Sequence, residues 1–400
     1  MALPDGIGEE ARLSSTEGAR PSIDVQTQLT RLQPVLTLPR ETVPRLTARE
    51  VGAYLRAAAE RLGLEFAEST AVVPTFLLLP RTAPRAVLFQ TWHAEPLPVE
   101  PGAVDGAERL ALGAAVAGAE AAATALGSQG APVLAPFAFV VAPSATAGSQ
   151  LLDEVLRERR ARLGAPAAIW LRIAPAGGSR RAVFLGARGR VVVGVRGGDG
   201  NPYRARDAVV AELREGAYGP RPLDFELMRK LAQRPENLAL LPPDENGTPE
   251  ERIRHALFEP HGEIVVPGAA HPDRPRAWLT FEIAEAMEPE PIARRVEALS
   301  GGGRADLVER FPWDRANIHH PTIHALIELA REVSEGAEIW PSSPWATPSG
   351  LFTRALGTNL VEWRIPLPAG AAIRLPGPQP LEAMAREAAN LLLKLSAQAP

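Results

Sequence analysis

The 400-residue chain is predicted to be a mixed α/β protein, a doubly wound sheet interrupted by a compact βαββαβ unit. Three observations predict this. Short apolar runs alternate with segments of helical periodicity as far as residue 173, the pattern changes after Gly177-Gly178, and the first pattern returns from Pro321. With 46% of its residues hydrophobic, the chain can fill two cores. The expected division is a flexible leader at 1–22, a discontinuous sheet domain at 23–178 and 312–400, and an inserted unit at 179–311.

The leader is polar and aperiodic. A helix over Val25 to Leu36 is followed by one capped by Thr47 with Glu50 three residues on, whose apolar positions Val51, Tyr54, Leu55, Ala58 and Leu62 share a face. Gly63 ends it. Val72 to Leu79 and Ala86 to Thr91, separated by Pro80 and Pro84, read as strands of a mostly buried sheet. The alternation continues with helix Leu110 to Leu126, strand Pro136 to Val141, helix Gln150 to Leu163 and strand Ala167 to Ile173. The charged residues from Asp153 to Arg162 read as a solvated helix face with helical ion pairs, or as a partner surface.

The inserted unit reads as strand Val191 to Val195, helix Ala205 to Arg214, strands Glu263 to Val266 and Trp278 to Ile283, helix Glu290 to Leu299 and strand Asp306 to Arg310. Gly177-Gly178 and Gly301-Gly302-Gly303 lie near its ends, where a hinge would turn. The segment Gly216 to Pro260 contributes a helix at Leu223 to Ala232 and no assigned role. Helix Thr322 to Val333, strand Asn359 to Trp363 and helix Leu381 to Leu395 complete the first domain.

Composition excludes several function classes. A formal net charge of -4 gives no electrostatic reason for nucleic acid or membrane binding. Without cysteine the chain has no disulfide framework, thiolate zinc site or thiol nucleophile. No run approaches the ~18 apolar residues of a bilayer span, and no signal-peptide core is present, so the expected location is the cytoplasm.

The chemistry-bearing region runs from Val87 to Ser149: a buried strand ending Thr91-Trp92-His93-Ala94-Glu95, an alanine-rich helix, a second buried strand, and the loop Ser144-Ala145-Thr146-Ala147-Gly148-Ser149. This order, together with the split second unit, resembles the zinc-dependent aminoacylase, carboxypeptidase G and succinyl-diaminopimelate desuccinylase family of metallopeptidases over about residues 25 to 395. The resemblance implies a zinc-exopeptidase-like sheet with a ferredoxin-like lid or dimerisation unit. It also implies a homo-oligomer formed through that unit.

In that family the first strand ends in His-x-Asp, a turn carries a bridging Asp, and a later strand ends in Glu-Glu-x-Gly-Ser. His93 matches the first ligand and Glu95 the acid that orients it, but the bridging Asp falls on Val116 and the two Glu fall on Ala145 and Thr146. Two zinc ions roughly 3.5–4 Å apart repel by roughly 19 kcal/mol at an effective dielectric of about 20, so several anionic ligands are required. Valine, alanine and threonine side chains do not supply them. Where a further carboxylate ligand belongs, the chain reads Ile169-Trp170-Leu171-Arg172-Ile173, and Arg374 to Pro378 lacks the final histidine. After Gly197, in place of the substrate-facing histidine, stand Gly198-Asp199-Gly200-Asn201.

Other candidates fit poorly. His320 and His324 are spaced as ligands on a helix, but Pro321 suits a helix start and no carboxylate joins them at a motif spacing. Ser342-Ser343 and Ser349-Gly350 fall in a Pro- and Trp-rich loop without a nucleophile elbow. Trp92, Arg172, Asp199 and Trp345 are the expected cleft-lining residues.

The expectation is therefore a metallopeptidase-fold protein with no bound cofactor, a pseudoenzyme that captures a protein partner or a small amino-acid-like ligand, with neither nucleic acid nor membrane. The alternatives are an active amidohydrolase cleaving an N-acyl amino acid or small peptide with an atypical zinc site at His93 and Glu95, and a metal-free enzyme with new chemistry in the same cleft. His93 itself reads either as a ligand or acid-base group or as a structural residue beside Trp92.

Overall fold

The computed structural model describes residues 47–71, 73–92, 107–127, 136–143, 150–173, 181–216, 222–238, 247–267, 275–284, 287–333, 337–366 and 378–398. The expected leader, the helix at 25–36, and His93, Glu95, Ala145 and Thr146 lie outside them.

Helix α1, Ala48–Leu62, begins at the anticipated capping box, with Thr47 and Glu50 each satisfying the other's backbone N–H, and ends at Gly63 with φ 66°. Then follow β1 (Glu65–Glu68), β2 (Phe76–Leu79), β3 (Ala86–Trp92), α2 (Ala107–Gly127), β4 (Phe137–Pro143), α3 (Gln150–Glu158), α4 (Arg160–Leu163) and β5 (Ala168–Ile173). The chain continues through β6 (Ala182–Phe184), β7 (Gly186–Arg196), α5 (Pro202–Gly216), α6 (Pro222–Ala232), α7 (Pro235–Leu238), α8 (Pro249–Phe258), β8 (His261–Val265), β9 (Ala277–Ile283), α9 (Pro289–Leu299) and β10 (Arg304–Phe311). It closes with β11 (Asp314–Arg315), α10 (Pro321–Val333), β12 (Glu338–Trp340), β13 (Ser343–Ala346), α11 (Ser349–Leu356), β14 (Leu360–Ile365) and α12 (Pro378–Gln398).

The larger sheet has the order β1-β2-β4-β3-β5-β14-β6-β12. Its four central strands, β4, β3, β5 and β14, run parallel, and β3, β4 and β14 are buried throughout, as strands covered on both faces must be. One apolar cluster draws on α1, α2, α10 and α12, and the other on α3 and α11. The doubly wound mixed α/β class is thus the observed one. Small residues let α2 and α12 approach closely: a Cβ on Gly118 would stand 2.5 Å from that of Ala388.

The smaller sheet has the antiparallel order β10-β7-β9-β8, and α5 and α9 contribute to its core. The first residues of β7 pair instead with β11 and β13. Gly186 and Gly189 admit these neighbours, because a Cβ at Gly186 would run into the Asp314 and Arg315 backbone and one at Gly189 into Ile283 and Phe311.

Several local readings differ. Within the stretch expected to be wholly inserted, β6 hydrogen-bonds into the larger sheet beside β14 and β12. The segment of unassigned role carries α6, α7 and α8, and Met228, Leu231, Ile253 and Leu257 pack with Phe184 and Trp340 at that sheet's edge. The Pro- and Trp-rich stretch expected to be a loop holds β12, β13 and α11. The charged helix breaks at Arg159, and Asp153 is buried between Arg157 and Arg310, tying α3 to β10 rather than facing only solvent.

Candidate functional site: the carboxyl edge of the larger sheet

Because β3 is in register with β4, and β5 with β14, all four parallel strands finish on one edge, at Trp92, Pro143, Ile173 and Ile365. That edge is where open α/β sheets bind ligands, since the loops leaving it diverge. In sequence His93 and Glu95 come after β3 and Ala145 and Thr146 after β4, all four outside the described residues.

The described part of this edge carries a charged cluster. Cross-strand register sets Trp170 opposite Glu362 and Arg172 opposite Arg364. These four residues alternate with Ile169, Leu171, Val361, Trp363 and Ile365, which occupy the opposite core. Arg172 Nη1 donates to Glu362 Oε1 at 3.2 Å, and Arg364 Nε donates to the same oxygen at 2.5 Å. The carboxylate's other oxygen is buried without a partner among the described residues. The Arg172 guanidinium lies over the Trp170 ring at 4.4 Å, and that of Arg364 lies over Trp345 at 4.2 Å and Phe184 at 4.7 Å. Side-chain exposure is 34% for Arg172, 7% for Arg364 and 4% for Glu362. Arg172 is therefore the member that reaches solvent.

Burial by itself would raise the Glu362 pKa, but the positive charges of Arg364 and Arg172 and their hydrogen bonds outweigh it and hold the carboxyl below its ordinary value. Burial lowers the Arg364 pKa, against the pull of Glu362. One carboxylate and two guanidinium groups leave the cluster one positive charge in excess.

Of the expected cleft-lining residues, the structure brings Arg172 and Trp345 together through Glu362 and Arg364. Trp92 is instead a core residue, 2% exposed, with its ring 6.0 Å from that of Phe76. Asp199 sits in the turn after β7, where its N–H donates to the Gly301 carbonyl. That turn is at the far end of the eleven-residue β7 from the residues joining the two sheets. Ser349 Oγ lies within hydrogen-bond reach of the Asp314 carboxyl and, at 3.0 Å, of the Leu360 carbonyl, with one proton to give to one of them, making a buried brace at the start of α11. His320 and His324 are exposed, and His324 Nδ1 lies 3.4 Å from Glu328.

Sequence reasoning missed Glu362 and Arg364. The available signal was two charges at period two inside the apolar run Leu360 to Ile365, which marks one buried polar row.

Val116 is fully buried in the apolar cluster beneath the sheet, and the one charged side chain of Ile169 to Ile173, Arg172, is a hydrogen-bond donor. Among the described residues, no group of three or more His, Cys, Asp or Glu could hold a metal ion. Also among them, no helix is long and apolar enough to cross a membrane.

No protein-family model matches the chain, and no curated protein matches it by sequence. Solved structures do. An M20 family metallo-carboxypeptidase from Sulfolobus solfataricus superposes with a TM-score of 0.60 at 14% identity, over 87% of this chain and 95% of that one. A di-peptidase from Saccharomyces cerevisiae gives 0.59 at 12% identity, over 94% and 96%. Human carnosine dipeptidase 1 gives 0.57 at 14% identity, over 93% and 97%. The chain therefore has the fold of the M20 metallopeptidases. At these identities the likeness is one of fold.

Proposed function

We propose that this protein is a metallopeptidase-fold pseudoenzyme: the fold is kept, the zinc centre is lost, and the carboxyl edge of the larger sheet binds a ligand or partner. The observation that carries the reading is the Arg172–Glu362–Arg364 cluster, which sets excess positive charge where a cation would need carboxylates. Val116, buried among apolar side chains, supports it. The test is elemental mass spectrometry of protein purified without chelators after growth with zinc, with amide hydrolysis assayed on the same sample. Essentially no zinc and no metal-dependent hydrolysis are expected; about two zinc ions per chain would overturn the reading.

The smaller sheet supplies the assembly surface in this proposal. Among the described residues its edge strand β8 has one sheet neighbour, Val265 at its end and Val266 just after it are exposed, and a groove lined by Arg206, Val210 and Arg214 runs along it. A second copy of the chain is the proposed occupant. A dimer by light scattering that Val265→Lys converts to monomer is the expected result.

A further inference from the structure

Resting on the metal-free reading of the cleft, we propose that Arg172 anchors an oxyanion-binding site there, taking a carboxylate or phosphate group of a small ligand. The site's electrostatics are inverted relative to a cation centre, since Arg172 and Arg364 share one oxygen of one carboxylate. A positive excess at a largely desolvated edge favours a counter-anion.

Arg172 is also prepared for the task. Glu362 tethers one end of its guanidinium and Trp170 supports its face, so little rotamer entropy remains to be lost on binding. The side chain is one-third exposed, and the planar guanidinium fork matches a carboxylate or a phosphate. Arg364 differs: covered by Phe184 and Trp345, it supplies charge and holds Glu362, and acts as a positioning residue.

The experiment is thermal unfolding of the full chain titrated with inorganic phosphate, with acetate, and with chloride at matched ionic strength. A ligand that binds only the native state raises Tm saturably. A saturable rise with phosphate alone identifies a phosphate-type ligand, and one with acetate alone a carboxylate; both support the proposal. Arg172→Lys keeps the charge but loses the planar fork, and is expected to weaken the response about tenfold, as Arg172→Gln is to abolish it. Arg295→Gln, on the smaller domain's exposed surface, should respond as the natural protein does. No oxyanion response beyond chloride, or a response retained in both Arg172 variants, overturns the proposal. Zinc is measured on the same sample: two ions per chain defeat the metal-free reading by themselves, and the Arg172 variants still decide the oxyanion site.

Discussion

Arg172 and Arg188 both project from sheet strands, yet they spend their guanidinium groups in opposite ways. Arg188, fully buried on β7, donates to the carbonyls of His255, Ala256 and Glu259 and lies 3.3 Å from His261 Nδ1, closing the end of α8 onto the joint between the two sheets. Burial depresses its pKa to about 10. Arg172 is tethered to a carboxylate and partly exposed. The difference separates an arginine used to hold the chain together from one held ready for something outside it: the first faces main-chain acceptors, the second faces solvent.

The comparison breaks first at Arg188. Arg188→Met leaves three carbonyls without their buried donor and should cost about 3–5 kcal/mol, read as a fall in the denaturant midpoint at unchanged m. A loss below about 1 kcal/mol would show that the joint is held by something else. Gly118→Ala comes next: the added methyl collides with Ala388 and the Ala385 carbonyl, 2.8 Å away, and should cost about 1–3 kcal/mol through the α2–α12 contact.

The joint should also respond to acid. Burial, followed by the charges of Arg188 and His255, pushes the His261 pKa down from 6.5 to about 4, against a smaller upward pull from Glu263. The unfolded chain then takes up a proton near pH 6.5 that the native state refuses until about pH 4, so His261 contributes its full stability above 6.5 and loses it as pH falls through that window. His261→Gln should flatten the stability profile between those limits. An unchanged slope would place the acid sensitivity elsewhere.

The smallest structural effect belongs to Arg172. Arg364 still pairs the buried Glu362 carboxylate when Arg172 is replaced, so Arg172→Gln should cost about 1–2 kcal/mol of unfolding free energy, while removing the oxyanion response. A large stability loss would return Arg172 to the same class as Arg188.

Legibility from sequence followed the range of the interactions. The Thr47–Glu50 box, the Gly63 stop and the buried β3 and β4 were readable because each is specified within a few neighbouring residues. Strands β6, β12 and β13 were not, being three or four residues long and stabilised by distant partners: β12 lies against β6, and β13 against β7. Trp92 was read as cleft-lining because it precedes His93, but its ring turns into the core toward Phe76.

By itself the sequence determined the alternation of elements and the doubly wound mixed α/β class, since side-chain chemistry and periodicity are local properties. Only the tertiary structure decided which charges meet. Arg172 and Glu362 are 190 residues apart and come together because β5 and β14 lie side by side in parallel register. Such a pairing is set by the packing of the whole sheet, and no local pattern encodes it.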